Sequence, residues 1–174
     1  KKYLNEIKKI IPRKNNLFEI HSIDSSKKYL NIWNPVFTNF YNKTIYTYQS
    51  DCYLNLINNV IVSNYKKIPN IIPDLIYLDA PELEQVKGKI NNLSMLSKNN
   101  FPIAADILHL EYFLQPGAFI IVDGRTTNSR FLNNNLQREW EYKEYEKEDI
   151  STFELVEKPI GQINKEYINF TLHQ

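Results

Sequence analysis

The sequence predicts an α/β fold, a mostly parallel sheet with helices on both faces and an antiparallel C-terminal strand pair. Two adjacent segments carry this prediction. Apolar residues spaced along one helix face fill 103–114 and end at Pro116-Gly117, which stops a helix. The continuous apolar run over 118–122 then favours a strand covered on both faces, as in a parallel sheet. We interpret the chain as one domain over 1–174.

The rest of the chain continues the alternation of helix and strand. Before residue 103, the patterns predict a helix over 2–11, a strand over 17–23, a helix capped by Ser25 and Ser26, a strand over 44–48, a helix over 53–65 and a strand over 74–79. After residue 123, they predict a helix over 126–138, a charged connector over 140–149, and strands over 153–157 and 166–172 that pair antiparallel.

The composition favours a small-molecule partner over nucleic acid or membrane. Lys and Arg total 21 and Asp and Glu total 20, so the net charge of +1 creates no overall field for an anionic polymer or bilayer. No apolar stretch approaches the roughly 18 residues that span a membrane. Cys52 is the only cysteine, which excludes an internal disulfide and indicates a reducing, cytoplasmic compartment. The sequence gives no indication of oligomeric state.

Four predicted strands run into an aspartate. These residues are Asp24, Asp51, Asp79 and Asp123. If the strands are parallel, their carboxylates collect along one edge of the sheet and form a polar cleft, where α/β sheets bind ligands. A carboxylate there can accept hydrogen bonds from both hydroxyls of a ribose. Each aspartate alone is more commonly a cap or turn former, so only the set indicates a nucleoside site.

Several segments also occur together in the order found in a known enzyme family. They are 24–29, 49–52, 74–79, the Leu114-Gln115-Pro116-Gly117 turn and the closing strand pair. Together they resemble the Rossmann-like (class I) S-adenosylmethionine-dependent methyltransferases. The resemblance implies that Asp24 with Ser25, and Asp51 with Cys52, bind S-adenosylmethionine, and that Asp79 is the catalytic residue facing the methyl group.

The chain departs from this family at its glycine-rich loop. Its glycines are Gly88, Gly117, Gly124 and Gly161, and none lies near the start. We therefore expect the family's first strand and glycine loop to lie upstream, which makes the chain N-terminally incomplete. The alternative is a non-catalytic or degenerate Rossmann-like nucleotide-binding module. A nucleotide-sugar or NAD-dependent enzyme is disfavoured, because the chain has no Gly-x-Gly-x-x-Gly.

The expected chemistry is methyl transfer to a small-molecule hydroxyl, with a sugar or sugar derivative as the acceptor. Two routes remain open for removing the hydroxyl proton. Asp79 or a nearby histidine can act as the base, or Asp79 and Asp123 can jointly bind Mg²⁺, which lowers the pKa of a coordinated hydroxyl. Gly124 stands where the metal-dependent enzymes of the family usually have a further polar ligand.

Two arginines follow the predicted strand over 118–122. Arg125 and Arg130 flank the segment 126–128, where a helix start can offer N–H groups to a phosphate or carboxylate. We expect these arginines to bind an acidic acceptor. The alternative is a solvated loop with an N-cap.

Overall fold

The structure is a computed structural model that describes residues 19–31, 44–97 and 102–172. The strands are β1 (Glu19–Asp24), β2 (Thr44–Gln49), β3 (Cys52–Ile57), β4 (Val60–Tyr65), β5 (Leu75–Leu78), β6 (Val86–Lys87), β7 (Phe119–Asp123), β8 (Trp140–Tyr145) and β9 (Ile150–Leu155). The helices are α1 (Asp106–Leu110), α2 (Thr126–Asn135) and α3 (Gln162–Leu172), with a short helical segment over 27–31. The predicted helix over 2–11 lies outside the described residues.

These strands form three sheets. β1 and β2 pair in parallel. A second sheet has the order β4-β3-β6, in which β3 is antiparallel to β4 and parallel to β6. The third has the order β5-β7-β9-β8, in which β5 and β7 are parallel and β9 is antiparallel to both its neighbours. The prediction of one Rossmann-like, mostly parallel sheet with helices on both faces is therefore wrong.

The segment over 53–65 accounts for part of this error. It forms the β3–β4 hairpin instead of a helix. The two turn residues, Asn58 and Asn59, have φ angles of 51° and 64°. A two-residue turn with both φ values positive matches the right-handed twist of the strands, and asparagine tolerates that conformation better than most residues. The backbone preference of the two turn asparagines therefore determined the structure of this segment, and the helical spacing of its apolar residues did not.

The antiparallel pair at the C-terminal side forms one strand earlier than predicted. The charged connector over 140–149 contains β8, which pairs with β9, whereas 162–172 is helical. Half-buried Tyr142 alternates with exposed charged residues and packs its ring 4.8 Å from that of buried Phe153. This alternation is the pattern of a strand with one buried face.

The other strand predictions are confirmed with small shifts at the ends. Strands predicted over 17–23, 44–48, 74–79 and 118–122 correspond to β1, β2, β5 and β7. The predicted helix over 103–114 is shorter, since α1 continues as a 3₁₀ turn at Glu111–Phe113. Gly117 adopts a φ of 88° in the turn before β7, a conformation that glycine accepts at little cost.

The main hydrophobic core joins the second and third sheets. Ile120 of β7, Leu132 of α2 and Phe153 of β9 are fully buried together with Val62 of β4. Burying such side chains stabilises the fold by roughly 1.5–3 kcal/mol each. The buried amide of Asn128 on α2 accepts from the N–H of Ala104 at 2.7 Å and donates to its carbonyl at 3.0 Å. These contacts hold the first turn of α2 against the segment that precedes α1.

Within the described ranges, no helix is both long enough and apolar enough to cross a membrane.

Candidate functional site

Aspartates from two strand ends lie close to one buried arginine, and an aspartate from a third strand end interacts with one of them. Asp24 ends β1, Asp79 directly follows β5 and Asp123 ends β7. The side chain of Arg125 is 7% exposed, and its Nη2 lies 4.0 Å from Asp79 Oδ1. Asp123 also acts electrostatically on the Arg125 guanidinium. We call Asp24, Asp79, Asp123 and Arg125 the acidic edge.

Asp24 and Asp79 interact electrostatically although β1 and β5 belong to different sheets. Asp24 is half-buried, and its Oδ1 accepts the N–H of Ser26 at 2.6 Å. Burial raises the pKa of Asp24, the Ser26 N–H opposes that shift, and repulsion from Asp79 adds to it. This repulsion indicates that Asp79 lies within electrostatic reach of Asp24.

The backbone after Asp79 is strained. Ala80 has a φ of 61°, a left-handed conformation that costs a residue with a Cβ about 1–2 kcal/mol. Its carbonyl oxygen accepts a hydrogen bond from Arg125 Nη2 at 3.2 Å. This bond holds the strained peptide in place and thereby orients Asp79. Backbone strain of this kind clusters at functional sites.

Asp123 is tied to its surroundings on two sides. Its Oδ2 accepts a hydrogen bond from the hydroxyl of Tyr77 on β5. The next residue, Gly124, donates its N–H to the carbonyl of Asp149 at 2.8 Å, in the turn between β8 and β9. Gly124 has a φ of 59°, so a side chain there would be strained. The end of β7 is thereby joined to the β8–β9 hairpin.

Ser25 connects Asp24 to the segment after Asp79. Its hydroxyl donates to Oε1 of Gln85 at 3.0 Å. Gln85 belongs to the 3₁₀ turn Leu83–Gln85, which follows Asp79 by only a few residues. The contact therefore supports the approach of β1 to the end of β5.

Asp51 and Cys52 have other partners. Asp51 accepts a hydrogen bond from Lys87 Nζ at 2.8 Å, and this bond lowers the pKa of the carboxyl. Cys52 is 1% exposed at the start of β3, and burial raises the pKa of its thiol to about 12. The structure thus pairs Asp51 with the second sheet and buries Cys52, whereas Asp24 and Asp79 come together.

Tyr65 belongs to this region although the sequence did not indicate it. It ends β4 and is half-buried. Burial raises the pKa of Tyr65, and the carboxylates of Asp24 and Asp106 shift it in the same direction, whereas Arg125 opposes them. The phenol therefore lies within electrostatic reach of the acidic edge. The prediction of a helix over 53–65 gave no reason to place Tyr65 near the acidic edge, because the end of β4 reaches this region only in the hairpin.

Arg125 and Arg130 line one cavity of about 270 Å³. Arg130 is exposed on α2, and the cavity extends between the first turns of that helix and the β8–β9 hairpin. We call it the hairpin cavity. Since Arg125 also contacts Asp79, the cavity adjoins the acidic edge.

The residues proposed for Mg²⁺ do not fit a metal centre. Arg125 lies beside Asp79, and the phenol of Tyr77 binds Asp123. Across the residues that the structure describes, no group of three or more His, Cys, Asp or Glu side chains is placed to hold an ion. Mg²⁺ needs near-octahedral oxygen ligation. We therefore derive no chemical step through a metal.

Comparisons with known proteins do not assign this site. No protein-family model, curated protein or solved structure matches the chain. Function is therefore inferred from the residues of the acidic edge and the hairpin cavity.

Proposed function

We propose that the acidic edge binds the adenosyl group of S-adenosylmethionine and that the protein is a methyltransferase acting on a small-molecule hydroxyl, in a sugar or sugar derivative. The observation that supports this most is that Asp24 interacts electrostatically with Asp79, which in turn contacts Arg125. Carboxylates from different strand ends provide one group for a nucleoside and a second for chemistry on a neighbouring acceptor.

Asp24 suits the ribose position. Its carboxylate is half-buried, and Oδ1 is oriented by the Ser26 N–H. A carboxylate has about four acceptor positions, so it can receive both ribose hydroxyls in addition to this bond. The hydrogen bond between Ser25 and Gln85 stabilises the adjacent backbone. The donors and acceptors here fit a nucleoside.

We assign Asp79 to the methyl acceptor, as the base for its hydroxyl. S-adenosylmethionine, when bound, supplies an electrophilic methyl group on its sulfonium. The protein must align an acceptor hydroxyl with that group and take up its proton. The carboxylate of Asp79 is 78% exposed and therefore accessible to an incoming acceptor, while Arg125 and the Ala80 peptide fix its position.

The proposal includes a cytoplasmic location and a small-molecule partner. The single cysteine, Cys52, is buried and unpaired, as is common in reducing compartments. The net charge of +1 gives no reason to involve nucleic acid or an anionic membrane.

Calorimetric titration of the purified full-length protein with S-adenosylmethionine and S-adenosylhomocysteine tests the proposal, with cytidine as the control nucleoside. We expect both adenosyl compounds to bind in the range of about 1 μM to 1 mM that is usual for enzyme ligands, and cytidine to bind more weakly. Absence of binding by both adenosyl compounds would refute the proposal.

A methyl-transfer assay separates the enzyme from the alternative module. The full-length protein is incubated with S-adenosylmethionine carrying a labelled methyl group and with a panel of monosaccharides. We expect label in a saccharide product. Cofactor binding without transfer to any hydroxylated acceptor would favour a non-catalytic nucleoside-binding module.

A further inference from the structure

The hairpin cavity has a lining of mixed character. Its volume is about 270 Å³, and its walls include Ser129, Arg130, Tyr142, Glu144, Tyr145 and Asp149. Sites for drug-sized ligands usually enclose roughly 300–1,000 Å³. The cavity therefore matches a single small ring better than a longer ligand.

We infer that the hairpin cavity binds an amino sugar, a ring with several hydroxyls and one protonated amine, as the methyl acceptor. This inference rests on the proposed function for the acceptor role. The binding of such a ring is a separate property that can be measured without cofactor.

The charges around the cavity favour a cationic group. Glu144, Glu146 and Asp149 contribute three carboxylates, against the guanidinium groups of Arg125 and Arg130. Arg125 also interacts with Asp79, which lies outside the lining. Three carboxylates against two guanidinium groups give the lining a net charge of −1, so we expect a protonated amine to bind more tightly than a phosphate or carboxylate. The pair of arginines alone would favour an acidic acceptor, but the three carboxylates outnumber them.

The tyrosines and polar groups suit a hydroxylated ring. Tyr142 is half-buried and Tyr145 is 41% exposed, so part of each aromatic surface is available to the apolar C–H face of a sugar. Tyr142 donates its hydroxyl to Glu144 Oε1 at 2.5 Å. Carboxylate and guanidinium groups each offer paired positions that match vicinal hydroxyls.

The position of the cavity connects it with the acidic edge. Arg125 lines the cavity, and its Nη2 lies 4.0 Å from Asp79 Oδ1. The Gly124 N–H bond to Asp149 further joins the end of β7 to the hairpin turn. Arg125 therefore links the cavity with the carboxylate that we propose as the base.

Saturation-transfer NMR on the purified full-length protein, without S-adenosylmethionine, tests the inference with glucosamine, glucose and glucuronate as probes. We expect glucosamine to bind at least tenfold more tightly than glucuronate, with glucose between them. No saccharide binding, or tighter binding of glucuronate than of glucosamine, would overturn the inference.

Charge-neutral variants locate the binding site. Asp149→Asn should weaken glucosamine binding at least threefold and leave glucose binding nearly unchanged. Asparagine also tolerates the φ of 54° at this position, so the hairpin turn is preserved. Glu154→Gln is the matched control, because Glu154 is exposed on β9 and outside the lining. Equal effects of both variants would place the amine elsewhere and overturn the inference.

The readout also separates the two proposals. Glucosamine binding that Asp149→Asn weakens supports the cavity as an amino-sugar site even if S-adenosylmethionine fails to bind. In that case only the methyltransferase function is lost. Cofactor binding without saccharide selectivity leaves the proposed function intact and overturns the amino-sugar inference.

Discussion

Nη2 of Arg125 lies 4.0 Å from Oδ1 of Asp79, and the same nitrogen donates to the carbonyl of Ala80 at 3.2 Å. One buried guanidinium thus contacts both the exposed carboxylate and the strained peptide that follows it. Because Arg125 immediately precedes α2, the position of Asp79 depends on how α2 packs against the third sheet. This relationship explains why the chemistry we propose requires the fold around α2.

The first prediction concerns Asp79. Asp79→Asn should lower kcat by about 10²–10⁴, the usual contribution of a general base, and leave the affinity for S-adenosylmethionine within about twofold. The amide has nearly the same shape but cannot take up the acceptor proton. Steady-state kinetics and calorimetry measure the two quantities. Glu84→Gln is the control, because it neutralises an exposed carboxylate in the neighbouring 3₁₀ turn. An equal loss of kcat and affinity in Asp79→Asn would contradict the role of Asp79 as the base.

The second prediction concerns Asp24. Asp24→Asn should weaken S-adenosylmethionine binding by roughly tenfold or more, since a hydrogen bond to a charged group contributes about 1.5–3 kcal/mol. Asparagine can still accept the Ser26 N–H, so the end of β1 should keep its structure. Calorimetry gives the dissociation constants. Asp51→Asn should have the smaller effect because Lys87 already binds that carboxylate, and a larger effect of Asp51→Asn would reverse our assignment of the ribose site.

The positions of strand-end aspartates could be predicted because short apolar runs leave few alternatives. β5 and β7 are bounded by turn residues, and Asp79 and Asp123 lie at their ends as expected. Their presence at the same edge could also be predicted, since a parallel pair of strands brings both ends to one side of the sheet.

The pairing of the other strands could not be obtained from the same patterns. The spacing of apolar residues over 53–65 fits a helix and a strand almost equally. The segment forms a hairpin because Asn58 and Asn59 adopt a left-handed backbone in its turn. In the hairpin, Tyr65 lies within electrostatic reach of the acidic edge and Asp51 lies beside Lys87 of β6. Contacts between segments far apart in sequence determined these positions, and local spacing carries no information about them.

The third prediction concerns the buried carboxylate of Glu111. It is 2% exposed, and its Oε1 accepts the N–H groups of Gln137 and Arg138 and the indole Nε1–H of Trp140, at 2.7, 2.8 and 3.0 Å. Glu111→Gln removes the charge that strengthens these bonds and should lower the free energy of unfolding by about 1–3 kcal/mol.

Urea denaturation followed by tryptophan fluorescence measures this loss. Glu139→Gln is the matched control, because Glu139 is exposed in the same part of the chain. A loss below about 0.5 kcal/mol in Glu111→Gln, the range usual for surface substitutions, would show that the carboxylate charge contributes little to this cluster.

The fourth prediction concerns pH. Burial raises the pKa of Asp106 from 3.8 to about 6, although its Oδ1 accepts the N–H of Tyr65 at 2.9 Å. A raised pKa in the folded state favours the protonated form, so this stabilisation is full below about pH 4 and is lost as the pH rises through about 6. Asp106→Asn does not titrate and can still accept the Tyr65 N–H.

The difference in unfolding free energy between Asp106→Asn and the wild type should therefore rise from pH 4 to pH 7, in favour of the variant. Because the pKa of Asp106 rises from 3.8 to about 6, this difference in unfolding free energy should rise by an amount on the order of 2–3 kcal/mol. Urea midpoints at several pH values measure it. Exposed Glu148→Gln provides the reference slope, and a difference that is constant with pH would contradict the raised pKa.

The fifth prediction concerns the turn between β3 and β4. Asn59 has a φ of 64° in the second position of the turn, where glycine is the preferred residue. Asn59→Gly should preserve or slightly raise the free energy of unfolding, whereas Asn59→Ala should lower it by about 1–2 kcal/mol, because a Cβ is disfavoured in this conformation. Both variants remove the side-chain amide, so the difference between them reports the effect of backbone conformation on stability and not the loss of the amide. Urea denaturation of the two variants measures the difference, and equal stability would mean that the left-handed backbone does not hold the hairpin in register.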